Sequence, residues 1–341
     1  MTYFGYGRVI KGVGGLFTVR MHHAETVARE LADAVASAQR AERGPLDGET
    51  VLARGRGILR RRGSLLVGDL VRVSYDDSSF TKQDGRVIPS PDGTGIVIEE
   101  ICPRTCALIR PPMSNLNVLF VTLAAASPDP IPETVDKLIS IAEFNGIEPV
   151  LVVTKADLAP ETAHELAERY RRAGFTSFCT GLGDEEGRNA LMDYIQGSLD
   201  GKIAAFSGAS GVGKSTMLNQ LFPELSLETG EISHRIERGK NTTRSVELYP
   251  LSEEEGCGYL ADTPGFTMLD FERFDFFEKE DLPSTFREFA PYIGSCRYTK
   301  CSHTKEQGCA ILEAVARGEI AKSRHASFVS LYDVLKKKTK W

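Results

Sequence analysis

The sequence predicts a multi-domain protein: an all-β domain over residues 1–110, an α/β domain over 111–275 and a mainly helical, metal-binding domain over 276–341. Three observations carry this. Short strand-like runs separated by Gly and Asp/Ser clusters fill the first stretch, strands alternate with helices in the second, and a compact Cys/His cluster with helical sequence after it closes the third. A length of 341 residues suits two or three domains, each with its own core.

In the first stretch the runs are Gly7–Val13, Leu16–Arg20, Val51–Leu59, Leu65–Val73 and Gly95–Ile101, the pattern of a small barrel or sandwich. Ala24–Arg43 differs, being alanine-rich and free of Gly and Pro, and reads as an exposed helix inserted between strands. From Asn115 the rhythm changes. Leu116–Ala124 is an apolar strand, and Pro132–Phe144 a helix with Pro at its start and Gly146 beyond its end. Strand Glu148–Thr154, helix Pro160–Ala173, strand Phe175–Cys179, helix Gly187–Leu199 and strand Lys202–Ser207 follow, then a glycine-rich turn and another helix. Repeated βα units predict a mostly parallel sheet with helices on both faces and ligands at the carboxyl ends of its strands. Beyond Phe271 come an aromatic and acidic segment, the cluster Cys296–Cys309, a helix Ala310–Arg317 and a final helix ending in Lys336–Lys340.

The longest apolar stretches, Val118–Ala126 and Pro149–Val153, fall short of the roughly 20 residues of a membrane span, and the N-terminus lacks the features of a signal peptide. Seven cysteines, an odd number, point to a reducing compartment, so a cytoplasmic protein is expected. The formal charge of −6 argues, taken whole, against a nucleic-acid partner. Its distribution reverses that. Residues 1–110 carry 16 basic and 13 acidic side chains, 111–275 carry 13 and 26, and 276–341 carry 12 and 8, so both flanking domains are net basic.

Gly208-Ala209-Ser210-Gly211-Val212-Gly213-Lys214-Ser215, followed by Thr216, matches G-x-x-x-x-G-K-[ST] between an apolar strand and a helix, as a phosphate-binding loop requires. Glycines let backbone N–H groups turn inward around a phosphate, and the helix N-terminus adds partial positive charge. Lys214 is expected on the β- and γ-phosphates of a nucleoside triphosphate and the Ser215 hydroxyl on Mg²⁺.

Thr154-Lys155-Ala156-Asp157, at the end of a strand, varies the guanine-reading N-K-x-D sequence. The Asp157 carboxylate can accept from the guanine ring N–H and exocyclic amine together, a match adenine does not offer, and the Lys155 stem can lie over the ring. Alone the tetrapeptide is equally a strand-end turn; in a P-loop chain it favours GTP. Cys179 and Thr180, ending the next strand, join the expected nucleotide contacts. Asp262-Thr263-Pro264-Gly265 supplies a carboxylate for the magnesium shell and a glycine N–H for the γ-phosphate. Asn241-Thr242-Thr243, within Gly239–Arg244, is the second γ-phosphate sensor; Thr243 is assigned to magnesium, with Thr242 beside it as the alternative.

The base-reading sequence precedes the P-loop, whereas an unpermuted GTPase places it last, so the domain is circularly permuted, as closely spaced domain termini allow. With this order, G-A-S-G-V-G-K-S-T, G-K-N-T-T-R, D-T-P-G-F and the C-terminal Cys/His cluster, the chain resembles the RsgA (YjeQ/YloQ) family along essentially its whole length. The resemblance implies an N-terminal OB-fold, a central permuted P-loop GTPase and a C-terminal zinc domain. It also implies a role in late maturation of the small ribosomal subunit, with GTP/GDP, the subunit and its rRNA as partners, and a monomer off the ribosome. The insert 24–43 is atypical of the family's barrel.

Cys296-x4-Cys301-x-His303-x5-Cys309 offers three thiolates and an imidazole, the ligand set of a closed structural zinc site. Cys102, Cys106, Cys179 and Cys257 read as single thiols, with half a metal site the alternative for Cys102-x3-Cys106, and His22, His23, His164, His234 and His325 as surface residues, with a role in hydrolysis the alternative for His234 near the threonine loop. Where many GTPases carry a water-positioning glutamine this chain has Phe266, and Asn241 stands where the family typically has a histidine. Slow intrinsic hydrolysis, accelerated on the subunit, is therefore expected; the alternative is an RNA-binding regulator holding GTP as a static ligand. Arg54, Arg56, Arg60, Arg61 and Arg62 read alone as a solvated strand edge, and with the resemblance as an RNA grip. The lysines at 336–340 serve equally as a second contact or a frayed tail.

Overall fold

The computed structural model of the chain describes residues 1–23, 44–57, 59, 65–109, 111–223, 246–252, 257–262 and 278–337. The proposed insert 24–43 and Arg60, Arg61 and Arg62 lie outside these residues, as do His234, Asn241, Thr242, Thr243, Gly265 and Phe266. The chain forms two compact units: Met1–Asn117 with Gln196–Ala205 and Ile236–Gly265, and Val118–Ile195 with Phe206–Arg235 and Phe266–Trp341.

The first unit is built on a closed barrel. Strands β1 (Thr2–Val13), β2 (Leu16–His22), β3 (Thr50–Gly55) and β4 (Leu70–Asp76) are followed by the hairpin β5 (Phe80–Gln83) and β6 (Arg86–Pro89), then β7 (Val97–Ile101). The order is β1-β2-β3-β7-β4 with β4 returning to β1; β3 and β7 are parallel and the other neighbours antiparallel, the connectivity of an OB-fold. Period-two alternation sends Val9, Val19, Met21, Val51, Ala53, Val71, Val73 and Ile98 inward to one apolar core. Two short strands, β8 (Ala107–Ile109) and β9 (Pro112–Ser114), pair antiparallel.

The run Leu65–Val73, expected as one strand, is broken: the Asp69 carboxylate accepts the Leu66 N–H at 2.8 Å, making a turn, and pairing starts at Leu70. Val51–Leu59 likewise ends its pairing at Gly55. His22, expected at the surface, is buried, and neither ring nitrogen has a hydrogen-bond partner among the described residues.

The second unit contains parallel β10 (Leu116–Ala124), β11 (Glu148–Thr154) and β12 (Ser177–Cys179), paired from residue 118 onward, with α1 (Pro132–Phe144), α2 (Pro160–Arg172) and α3 (Glu185–Ser198) connecting them in right order for βα units. Helix α1 occupies the span its sequence predicts, from Pro132 in the first turn to Asn145-Gly146, with Gly146 at φ +68°. In α2, Ala163, Leu166, Ala167 and Tyr170 form the buried stripe. Strand β13 (Ile203–Ser207) leads into α4 (Lys214–Leu221). In the first unit, β14 (Glu247–Pro250) pairs with β1 and with β15 (Tyr259–Asp262), which runs parallel to residues 203–205.

The C-terminal segment belongs to the second unit. Two 3₁₀ turns (Leu282–Thr285 and Arg287–Phe289), α5 (Ala310–Arg317) and α6 (Lys322–Lys337) gather Phe286, Phe289 and Phe328 into a buried aromatic cluster. Helix α6 packs along α1. Among the described residues, no helix is long and apolar enough to cross a membrane.

Candidate functional site

Strand β13 delivers its chain to a tight turn in which space dictates one glycine and backbone angle the others. Gly208 lies at φ +153°, where a Cβ would collide with the Thr122 carbonyl oxygen, and Gly213 caps α4 at φ +94°. Lys214, the first residue of α4, folds back so that its ammonium donates to the Gly208 and Ala209 carbonyls at 2.7 and 3.0 Å. Burial lowers the Lys214 pKa, since its cation is withdrawn from water with only carbonyl dipoles beside it. A turn of this form beside a desolvated cation is built for an anion. Ser215 is half-buried in the first turn of α4, and Ser210, Gly211 and Thr216 are exposed.

The base-reading sequence is tied to this turn. Thr154, buried at the end of β11, has its hydroxyl 2.5 Å from the Val212 carbonyl and 3.2 Å from the Leu123 carbonyl. Lys155, at φ +56°, donates to the Gly211 carbonyl at 2.8 Å and to the Ser127 carbonyl. Asp157 is exposed, its Oδ1 accepting the Leu182 N–H at 3.0 Å. The Thr180 N–H donates to the Val153 carbonyl and the Ala156 N–H to the Thr180 carbonyl, lacing the two strand ends together. A Cβ on Gly181 would lie 2.8 Å from Asp157 Oδ1, so only glycine leaves that carboxylate its place. Cys179 is half-buried and its thiol faces the Ala163 carbonyl at 3.5 Å.

The structure therefore brings Thr154, Lys155 and the 208–214 turn together. Asp262 is the last residue of β15, in register with Glu247. Arg54 and Arg56 are exposed, and Arg56 pairs with Glu99 at 2.5 Å.

Cys296, Cys301, His303 and Cys309 converge, with all four donor atoms within 4.8 Å of one another. His303 Nδ1 is 3.5 Å from both Cys296 Sγ and Cys309 Sγ, and those sulfurs are 3.8 Å apart. Burial, and then the neighbouring thiols, push the Cys301 thiol up, a mutual crowding that a bound cation relieves. His325, expected at the surface, is half-buried, with Nε2 2.8 Å from the His303 carbonyl. This centre can hold one metal ion.

Sequence reasoning missed Arg324, which is 1% exposed. It meets Asp136 at 2.5 Å and Glu288 at 2.7 and 3.1 Å, with its guanidinium over the rings of Phe286, Phe175 and Tyr170. Arg287 reaches Glu143 and Glu148, both at 2.6 Å. Residues 188 apart share this network, so no local pattern marks it.

Residues 101–272 match the family model described as RsgA GTPase. The chain is 32% identical to the small ribosomal subunit biogenesis GTPase RsgA of Alkaliphilus metalliredigens over 98% of this chain and 99% of that protein. Against the protein of the same name from Halalkalibacterium halodurans the identity is 37%, over 83% and 89% of the two chains. The crystal structure described as YloQ, a circularly permuted GTPase, superposes with a TM-score of 0.69 at 28% identity, covering 99% of this chain and 97% of that one. That of YjeQ from Thermotoga maritima gives 0.72 at 28% identity over 98% and 100%.

Proposed function

Because the chain belongs to the RsgA family of circularly permuted GTPases, we propose that it hydrolyses GTP while bound to the small ribosomal subunit late in assembly, and leaves once GDP is formed. The observation carrying this reading is the join between base reader and phosphate turn: Thr154 and Lys155 donate to the carbonyls of Val212 and Gly211, so base and phosphates would be gripped by hydrogen-bonded neighbours. In this reading Asp157 selects guanine, with Cys179 and Thr180 backing the base loop. Backbone N–H groups of residues 208–216 and the Lys214 ammonium receive the phosphates, Lys214 exchanging carbonyl partners for phosphate oxygens.

Ser215, Asp262 and Thr243 offer hard oxygen donors of the kind Mg²⁺ takes alongside triphosphate oxygens. When bound, that ion supplies charge neutralisation to the phosphates. Asn241, Thr242 and Gly265 are assigned to γ-phosphate contact and water placement. Asn241 can hydrogen-bond the attacking water and cannot take its proton, which fits a slow reaction speeded by binding to the subunit.

Zinc fits the Cys/His centre. A tetrahedral ion with Zn–S of about 2.3 Å and Zn–N of about 2.05 Å would set S···S and S···N edges of about 3.8 and 3.5 Å; Cys296, Cys309 and His303 stand at 3.8 and 3.5 Å, and Cys301 completes a set within 4.8 Å. Cys296, Cys301, His303 and Cys309 would supply all four ligands, so a bound ion would be structural, with no position left for substrate. Domains 1–110, 111–275 and 276–341 take the roles of RNA-binding barrel, GTPase and zinc module, with Arg54, Arg56, Arg60, Arg61 and Arg62 on rRNA. The protein works as a cytoplasmic monomer.

Phe266 and Asn241 also suit a static GTP-holding regulator. Multiple-turnover phosphate release with and without small subunits separates the two. Acceleration by subunits supports the assembly GTPase, and no release beyond one equivalent under either condition supports the regulator.

A further inference from the structure

Between the ligands Cys296 and Cys301 lie four residues, Arg297, Tyr298, Thr299 and Lys300, and all four are exposed. Their backbone is held at both ends by the centre itself and across the loop by Arg297 N–H to the Gly308 carbonyl, 2.9 Å. A Cβ on Gly308 would sit 2.9 Å from Arg297 Cβ, so the two limbs of the loop pack against each other. At its tip Tyr298 is 51% exposed, an aromatic ring left in water, with the Arg297 guanidinium 5.7 Å from its centroid.

The segment that carries this ring is net basic. Residues 296–309 contain Arg297, Lys300 and Lys305 against a single acid, Glu306. Both oxygens of that carboxylate are taken up by the Ser302 hydroxyl and N–H and the Thr304 and Lys305 N–H groups; against burial, which raises it, these bonds hold the Glu306 pKa at about 2, so it is an anion committed to its own loop. An exposed aromatic ring with an arginine against it and lysines beside it in the chain is the arrangement that stacks an unpaired base while neighbouring phosphates are neutralised. A protein partner would more often ask for an apolar patch around the ring, and here its chain neighbours Arg297, Thr299 and Lys300 are polar and exposed.

The geometry points to the Cys296–Cys301 loop as a single-stranded RNA contact in which Tyr298 stacks on one base and Arg297 and Lys300 meet the flanking phosphates. This rests on the reading of the chain as an rRNA-binding assembly factor and names the residues by which its C-terminal module does so.

The test uses the full-length, zinc-loaded protein with a non-hydrolysable GTP analogue, titrated with purified small ribosomal subunits and with a labelled single-stranded oligouridylate. Tyr298→Ala weakens both by about tenfold or more, Tyr298→Phe restores binding, and neither changes zinc content or thermal midpoint. Arg297→Gln and Lys300→Gln each flatten the salt dependence by about 0.7 in log–log slope. A Tyr298→Trp chain, with the native Trp341 replaced by Phe, gives a single fluorophore at the loop, which oligouridylate quenches. Wild-type affinity in Tyr298→Ala, or fluorescence indifferent to RNA, overturns the inference and leaves the assembly role standing. Loss on subunits with oligouridylate binding intact also overturns it, assigning the loop to a ribosomal protein. If wild type binds neither probe, the underlying function itself fails.

Discussion

Replacing Arg324 by methionine tests the staple that joins the C-terminal module to helix α1. The side chain is 1% exposed and its carboxylate partners, Asp136 and Glu288, are 0% and 6% exposed. Methionine keeps much of the volume and the contact with Phe286, 4.5 Å from the guanidinium, but removes the charge shared by both acids. Breaking a buried pair on one side costs about 3–5 kcal/mol because the remaining charge loses its partner.

The pH dependence gives the test its direction. Burial already raises the Asp136 pKa, and Arg324 only partly offsets this. Without Arg324 it rises further. An acid whose folded pKa exceeds its unfolded value of about 3.9 binds more protons when folded, so its variant loses stability as pH rises above about 4. Urea denaturation at pH 5 and pH 7.5, monitored on the second unit, should therefore show a loss of about 3–5 kcal/mol at pH 7.5 and a smaller one at pH 5. Adding Asp136→Asn should recover part of the loss at the higher pH. A variant within 1 kcal/mol of wild type at pH 7.5, or a loss equal at both values, refutes the argument.

His22 gives an opposite dependence in the barrel. Burial, then Arg8, Arg20 and His23, lower its pKa from 6.5 to about 3, so its contribution is complete above pH 6.5 and falls by up to ~1.4 kcal/mol per unit as the pH drops toward 3; His22→Leu should flatten the denaturation midpoint of the first unit across that range. Asp157→Asn exchanges one acceptor for a donor and should reduce GTP affinity by about a hundredfold while improving that for xanthosine triphosphate, whose ring carries a carbonyl in place of the amine, as competition binding would show. Chelation should lower the melting temperature of the second unit, because the His303 carbonyl also anchors His325 of α6; a melting curve indifferent to chelator contradicts a structural metal.

Much of this molecule is legible in its sequence because its signals are local. Helix α1 carries Pro at its start and Gly after its end, the phosphate turn is a contiguous motif, and the metal ligands lie within fourteen residues, Cys296–Cys309. What escapes is non-local or rests on competing local chemistry. Arg324 is an ordinary surface-helix arginine until α6 docks on α1, and His22 is an ordinary strand-end histidine until both faces of β2 are covered. The strand expected from Leu65 loses its first residues to the Asp69 side-chain turn. The β5–β6 hairpin was readable from Asp84-Gly85, both at positive φ, a pair favoured in two-residue hairpin turns.

The central claim is that nucleotide state governs attachment to the small ribosomal subunit. Co-sedimentation of the full-length protein with purified small subunits, in matched samples holding a non-hydrolysable GTP analogue or GDP, measures it directly. The analogue-bound protein should pellet with the subunits and the GDP-bound protein should stay largely in the supernatant; equal pelleting in both, or none in either, contradicts the account.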